Sequence, residues 1–182
     1  VSRRVLMIWW NVYLFFSQRT EDEKRPVENG GKSENVLDRW ILARVNITID
    51  IVTTNLDQYD VLTASRTLAE LIDDLSTWYL RRSRGRFAEE HDAADRQDAN
   101  NTLRYALITS AKLMAPFCPF MSEAIHYNLT GESVHLADWP KVSDQIDRNI
   151  INDMLQVRQI VSAGLEARMQ AGIKVRQPLQ HL

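Results

Sequence analysis

Four arginines fall within six positions, at Arg81, Arg82, Arg84 and Arg86, inside the run Trp78-Tyr79-Leu80-Arg81-Arg82-Ser83-Arg84-Gly85-Arg86-Phe87. A guanidinium is planar and permanently charged, and its fork of N–H donors pairs bidentately with a carboxylate or a phosphate. At the end of a helix such a cluster has three uses. It can balance the helix dipole, at about 0.3–1 kcal/mol per cation. It can pair with the acidic residues that follow, Glu89, Glu90 and Asp92. It can also meet the phosphates of a nucleic acid. Four cations exceed what capping requires. Arg82 and Arg86 share one helix face, and Arg81 and Arg84 roughly share another, so both sides of the terminus are basic. Composition does not choose between internal pairing and a nucleic acid. Trp78 and Phe87 continue an apolar stripe and read as core rather than as base-stacking platforms. Trp139, in a loop beside Pro140, reads as a plug at the end of the fold.

Other chemistry finds little support. Gly31-Lys32-Ser33 resembles the end of a phosphate-binding loop, but Pro26 stands where that loop needs Gly and no strand precedes it. There is no GxGxxG, no Cys-x-x-Cys and no His-x-x-x-His, and His91, His126, His135 and His181 are far apart for a zinc site. Asp73 and Asp74 are adjacent on a helix and point about 100° apart, so they make no acid/base pair. No Ser, Cys or His stands in a nucleophile setting. Asn46-Ile47-Thr48, Asn100-Asn101-Thr102 and Asn128-Leu129-Thr130 fit the glycosylation pattern by chance, since they lie in helices. The residues themselves point to no catalytic site and no metal site.

The elements that must carry the arginines are helical. The chain has 182 residues, 45% apolar and 25% charged, which is the balance of a globular domain with a sizeable core. With six Gly and five Pro it is poor in turn formers, which disfavours a sandwich or barrel. Cys118 is alone, so no disulfide forms within the chain, as in a reducing compartment. The net charge of −2 hides its distribution: a basic cluster is followed almost at once by an acidic stretch. Val5 to Phe16 is apolar except for Asn11, too short to span a bilayer and suited to a buried helix. Val1 in place of an initiator Met suggests a piece cut from a longer protein.

Helical periods run as follows. The first covers about Ser2–Gln18, and residues 20–33 read as a surface loop. The second starts at the N-cap Asn35, with the stripe Leu37, Ile41, Val45, Thr48, Val52 and Leu56. The third spans Asp60 to about Arg86, with Val61, Ala64, Leu68, Leu71, Leu75 and Trp78 inward and Arg66, Glu70, Asp73 and Asp74 turned away. Glu89–Asp98 reads as a solvated loop before a helix holding Leu103, Ala106, Leu107, Ser110, Leu113 and Met114. Pro116 and Pro119 bracket a break. A shorter helix covers Phe120–Leu129. After an irregular stretch, Asp144–Gln170 carries Ile150, Met154, Val157, Val161, Leu165 and Met169 on one stripe. The reading is an all-α, up-and-down bundle of five to six helices. Residues 1–142 form the bundle, and 143–182 form its final long helix and the start of a C-terminal junction.

At these residues the sequence resembles the anticodon-binding helical-bundle domain of class I isoleucyl-tRNA synthetases. The most specific segment is Ile72-Asp73-Asp74-Leu75-Ser76-Thr77-Trp78-Tyr79 continued through the arginine run to Phe87. Trp10 to Phe16 is similar to the helix leaving the catalytic domain, and Leu37-Asp38-Arg39-Trp40-Ile41-Leu42-Ala43-Arg44-Val45-Asn46 to the opening of the next helix. Leu113-Met114-Ala115-Pro116-Phe117-Cys118-Pro119-Phe120-Met121-Ser122-Glu123 is shared with the valyl and leucyl enzymes. Ser133 to Pro140 and Lys174-Val175-Arg176-Gln177-Pro178-Leu179 again look like the isoleucyl enzyme. Ala88 and His126 depart from the family, which often has aromatics there. The resemblance implies a module that docks the anticodon stem-loop of tRNA(Ile), with Arg81, Arg82, Arg84 and Arg86 on the RNA backbone and Lys174 and Arg176 as further contacts. It implies a cytoplasmic monomer, with no membrane contact, working with the catalytic domain of the same parent chain. ATP and Mg would belong to that domain, and zinc to a C-terminal segment beyond this one. The family's His-Ile-Gly-His-like and Lys-Met-Ser-Lys-Ser-like signatures do not occur here, so the chain itself is expected to hold no cofactor and to catalyse nothing.

Overall fold

The apolar run near the N-terminus forms α1 (Arg3–Ser17), which buries Trp9, Val12, Tyr13 and Phe16. Burying Trp9 requires a partner for its indole N–H, and Ser110 Oγ accepts it at 3.0 Å. The computed structural model describes residues 2–19, 33–88, 90–143 and 147–178. The expected loop at 20–32, Glu89, the expected start of the last helix at Asp144, Leu179 and His181 lie outside the described residues.

Asn35 caps α2 (Val36–Asp57), its side chain accepting from the Leu37 amide at 3.0 Å. Ile41, Val45, Thr48 and Val52 are buried as the stripe requires, and Trp40 and Ile49 join them. Asp60 caps α3 (Val61–Asp73), accepting from the Thr63 amide at 2.9 Å. From α3 the chain continues without a break through a π-helical segment, Asp74–Leu80, a short α4 (Arg81–Ser83) and a 3-10 turn, Arg84–Phe87.

The π segment changes what the third helix buries. A π turn closes i to i+5 and takes about one residue more than an α turn. The inward position after Leu75 therefore falls to Tyr79, which is fully buried, and Trp78 is left half-buried rather than in the core. Asp74, expected on the outer face, is buried because Arg44 of α2 reaches it, with Nε 2.8 Å from Oδ2. Val61 lies in the exposed first turn of α3.

Residues 93–98, expected to belong to a solvated loop, open the next helix instead. Asp92 accepts from the amides of Ala94 and Asp95 at 3.0 and 2.9 Å and starts α5 (Ala93–Met114). Asp95 adds an acidic side chain where the helix dipole favours one. The break at the prolines is as read. Cys118 leaves the helical region, at φ −146° and ψ 74°, before Pro119, the first residue of α6 (Pro119–Thr130), and Gly131 ends that helix at φ 81°. A 3-10 turn follows at Val134–Leu136.

The described residues form helices and no strand. The chain divides into two compact units, Val1–Asp147 and Arg148–Leu182. In the first unit α2 packs on α3 and α5, α1 packs on the same two helices, and α6 packs on α5. Asp38 near the start of α2 meets Arg86 at the end of the helix begun by α3, and Phe15 near the end of α1 meets Phe87. The neighbours therefore run up and down, with the arginine run at one end of the bundle. In the second unit α7 (Arg148–Gln170) buries Ile150 and Met154. Val157, Leu165 and Met169, expected to be covered, are exposed, since the other described residues of that unit form only short turns.

Candidate nucleic-acid interface

The arginine run splits into an outer set and one inner member. Arg81, Arg82 and Arg84 are exposed. Among the described residues no carboxylate pairs with them. The Arg82 guanidinium lies 3.8 Å above the Trp78 ring centroid, the i, i+4 pair on one face of the helix. Arg84 lies 5.6 Å from the Phe15 ring of α1, and Arg19 sits 4.0 Å above that same ring. Phe15 is anchored in turn by an edge-on contact with Phe87, with centroids 5.3 Å apart. Two aromatic rings thus hold three guanidinium groups at this end of the bundle.

Arg19 was not among the residues singled out from the sequence. Its signal is spatial: it follows the last turn of α1, and only the up-and-down packing brings that turn beside Phe87. Its Nη1 donates to the Phe15 carbonyl at 3.1 Å, which holds the side chain back over the ring.

Arg86 faces the other way. Its Nη1 and Nη2 donate to the two oxygens of Asp38 at 2.7 and 2.8 Å, and its Nε donates to Asp95 Oδ2 at 2.9 Å. The residue is 8% exposed. The expected phosphate contact from Arg86 is therefore corrected: two carboxylates close around it inside the fold. Internal pairing does occur in the run, but with Asp38 and Asp95 rather than with Asp92, which caps α5. Burial pulls the Arg86 pKa down, and the hydrogen bonds to Asp38 and Asp95 more than reverse this, so the guanidinium stays charged. The hydrogen bond from Arg86 lowers Asp95 to about 2, against the opposing pull of burial. Burial, then the Asp38 charge, raises the Tyr79 phenol well above its ordinary value, so its O–H remains a donor.

Asp38 is the centre of this cluster. Besides Arg86 it accepts from Ser33 Oγ at 2.6 Å and from the Tyr79 hydroxyl at 2.8 Å. Nothing in the sequence marked it, because a carboxylate in the first turn of a helix is ordinarily a solvated cap.

Lys174 and Arg176 are exposed and belong to the second unit. The Lys174 carbonyl accepts from Arg168 Nη2 at 3.0 Å, and the Gln177 carbonyl accepts from the same group, so the turn carrying them is tied back to α7. Trp139 is 36% exposed and donates to Thr53 Oγ1 at 2.8 Å, so it lies against the far end of α2 rather than plugging the bundle. His126, at a position where the resembled family favours an aromatic, is buried with Nδ1 2.9 Å from the Glu132 carbonyl. Among the described residues no three His, Cys, Asp or Glu side chains gather as a metal site, and no helix is long and apolar enough to cross a membrane.

Residues 38–182 match the family described as the anticodon-binding domain of tRNA ligase. Isoleucine–tRNA ligase of Bacillus thuringiensis is 42% identical over 174 residues, covering 94% of this chain and 17% of the ligase. The Thermus thermophilus isoleucine–tRNA ligase is 39% identical over 188 residues, covering 97% of this chain and 18% of the ligase. This chain thus spans under a fifth of the length of these relatives. Among solved structures, the Agrobacterium radiobacter K84 LeuRS in a ternary complex with tRNA and LeuAMS aligns at a TM-score of 0.52 and 19% identity, over 81% of this chain and 16% of that one. That likeness concerns the fold alone. On the family match and on identity carried along nearly its whole length, this chain belongs to the anticodon-binding domain family of tRNA ligases.

Proposed function

We propose that the chain is the tRNA-docking segment of an isoleucine–tRNA ligase and engages the anticodon stem-loop of tRNA(Ile). The observation that carries this reading is the set of exposed guanidinium groups, Arg81, Arg82 and Arg84 with Arg19, held on aromatic rings at one end of the bundle and not paired with carboxylates among the described residues. Phosphate contacts from these groups set the register of the RNA, and contacts to unstacked loop bases give identity. Lys174 and Arg176 supply further RNA contacts of their own. The bundle holds the tRNA so that its distant acceptor end reaches the catalytic domain of the parent ligase. ATP and Mg serve that domain, zinc serves a further C-terminal segment, and this segment acts without a cofactor as a cytoplasmic monomer when separated from the parent. A purely structural bundle is the competing reading, and it accounts for Arg86 but not for the other three arginines.

Fluorescence anisotropy with labelled tRNA(Ile) tests the proposal. Binding is expected to weaken with salt at a log–log slope of about −0.7 to −0.9 per phosphate neutralised. The triple variant Arg81→Ala/Arg82→Ala/Arg84→Ala is expected to lose affinity and flatten that slope while keeping its helical circular dichroism. Unchanged affinity in the folded triple variant overturns the docking role. Isoleucine-dependent ATP–pyrophosphate exchange is expected to be absent from the chain alone, and clear exchange would refute the division of labour.

A further inference from the structure

The π segment leaves one aromatic ring at the surface, and that ring is already half of a stack. At an α-helical period Trp78 and Tyr79, three and four residues past Leu75, both border the inward stripe. With the wider turn Tyr79 is the one fully buried, and it is fixed by its hydrogen bond to Asp38 at 2.8 Å. Trp78 is displaced to the half-buried flank, where Arg82 lies over its ring at 3.8 Å.

This sets Arg82 apart from Arg81. At that separation the guanidinium is held against the indole face by the ring quadrupole. Arg82 is itself exposed, with its guanidinium carbon over the indole ring. A phosphate is bound through the N–H edge of an arginine, whereas a guanidinium already stacked on one side offers a flat cationic surface on the other. The flat partner that an RNA loop supplies is an unpaired base, and bases splayed from loops stack on aromatic rings and on guanidinium planes. We propose that Arg82, stacked on Trp78, is the platform for one unpaired base of the anticodon loop, while Arg81 and Arg84 contact phosphates. The platform rests on the docking role proposed above and refines it. Stacking accepts any base, since every base has a π face, so this contact adds affinity rather than identity. Trp78 acts as a positioning residue, setting the plane of Arg82.

The test uses this chain and an anticodon stem-loop RNA carrying fluorescent aminopurine at each unpaired loop position in turn. Wild type is expected to quench one position on binding. Arg82→Lys keeps the charge and loses the plane, and the side chain is exposed, so the variant folds. It is expected to bind about tenfold more weakly, to keep the wild-type salt slope and to lose the quench at that position. Trp78→Ala, compared at a temperature where circular dichroism shows it folded, is expected to lose the same quench with Arg82 intact. A quench retained in Arg82→Lys overturns the platform, because a phosphate contact alone would then explain the affinity. If Arg81→Ala and Arg84→Ala flatten the salt slope while the quench is indifferent to position 82, the platform fails and the docking role stands. If the wild-type chain binds no RNA, both fail together.

Discussion

The guanidinium of Arg86 meets the carboxylate of Asp38 fork to fork inside the bundle, Nη1 to Oδ1 at 2.7 Å and Nη2 to Oδ2 at 2.8 Å. Four pieces of chain converge on this pair. Asp38 belongs to the first turn of α2, Tyr79 to the π segment, Arg86 to the 3-10 turn, and Asp95 to the first turn of α5. Each of these segments ends or bends a helix, where backbone geometry is least determined by its own hydrogen bonds. The pair fixes how the helical rod from α3 terminates, and so where Arg81, Arg82 and Arg84 point.

Breaking the pair from one side is expected to be costly. Asp38 is fully buried, so Arg86→Ala leaves a charged carboxylate without its main partner, a loss of about 3–5 kcal/mol. Replacing both ends by apolar residues, Asp38→Leu with Arg86→Met, avoids the stranded charge. Urea unfolding of the two single variants and the double is expected to give a double variant much less destabilised than the sum of the singles. Additive losses would mean that the two side chains act independently.

The acid side of the stability curve reports the same cluster through Asp95. Its carboxyl is held at about 2 against an ordinary 3.8, chiefly by the hydrogen bond from Arg86 and secondarily by that from His91. A depressed carboxyl pKa stabilises the fold above the unfolded value and ceases to do so as the pH falls through the folded one. The gap in unfolding free energy between wild type and Asp95→Asn is therefore expected to be constant above pH 3.8 and to close toward pH 2. The side chain is 31% exposed, so solvent screening limits this gap to about 1 kcal/mol. A gap that persists unchanged at pH 2 would place the contribution of Asp95 in packing rather than in charge.

The helices were legible in the sequence wherever an apolar stripe and a capping residue agreed, as at Asn35 with Ile41, Val45 and Val52, or at Pro119 and Gly131. What escaped was phase and depth. A hydrophobic pattern is read at a fixed period, so the π segment moved Trp78 outward and Tyr79 inward with no warning in the residue types. The basic cluster was visible as charge, but which arginine turns inward depended on Asp38, some fifty positions earlier, and on Asp95, which the acidic run concealed. Arg19 was invisible for the same reason, since its place beside Phe15 and Arg84 follows from how α1 packs. Capping was legible only in part: Asp92 is a helix start, but in an acidic stretch it reads as loop.

Tyr79 offers a way to weaken the cluster without removing a charge. Tyr79→Phe deletes the hydroxyl donating to Asp38 at 2.8 Å and leaves the ring in place. The buried carboxylate then lacks one of its donors, which is expected to cost about 1–3 kcal/mol in urea unfolding. Because the ring still fills the inward site of the π segment, near-ultraviolet circular dichroism of the tryptophans is expected to stay close to wild type. A loss under about 0.5 kcal/mol would indicate that Arg86 and Ser33 already satisfy Asp38 between them.

The exposed cations fall in two units, and the RNA contacts proposed for them can be separated by experiment. Arg84 shares the Phe15 ring with Arg19 in the first unit, whereas Lys174 and Arg176 lie on a turn of the second. Arg84→Ala is expected to lower the magnitude of the salt slope by about 0.7–0.9, the signature of one lost phosphate contact. Lys174→Ala with Arg176→Ala is expected to lower it by up to about twice that amount if both reach the RNA. No side chain among the described residues bonds to both sites, so the combined variant is expected to show the sum of the two changes. Salt titrations of the tRNA(Ile) anisotropy for the three variants measure this directly. A slope unchanged by the Lys174 and Arg176 substitutions, beside a reduced one for Arg84, would confine the electrostatic contact to the arginine end of the bundle.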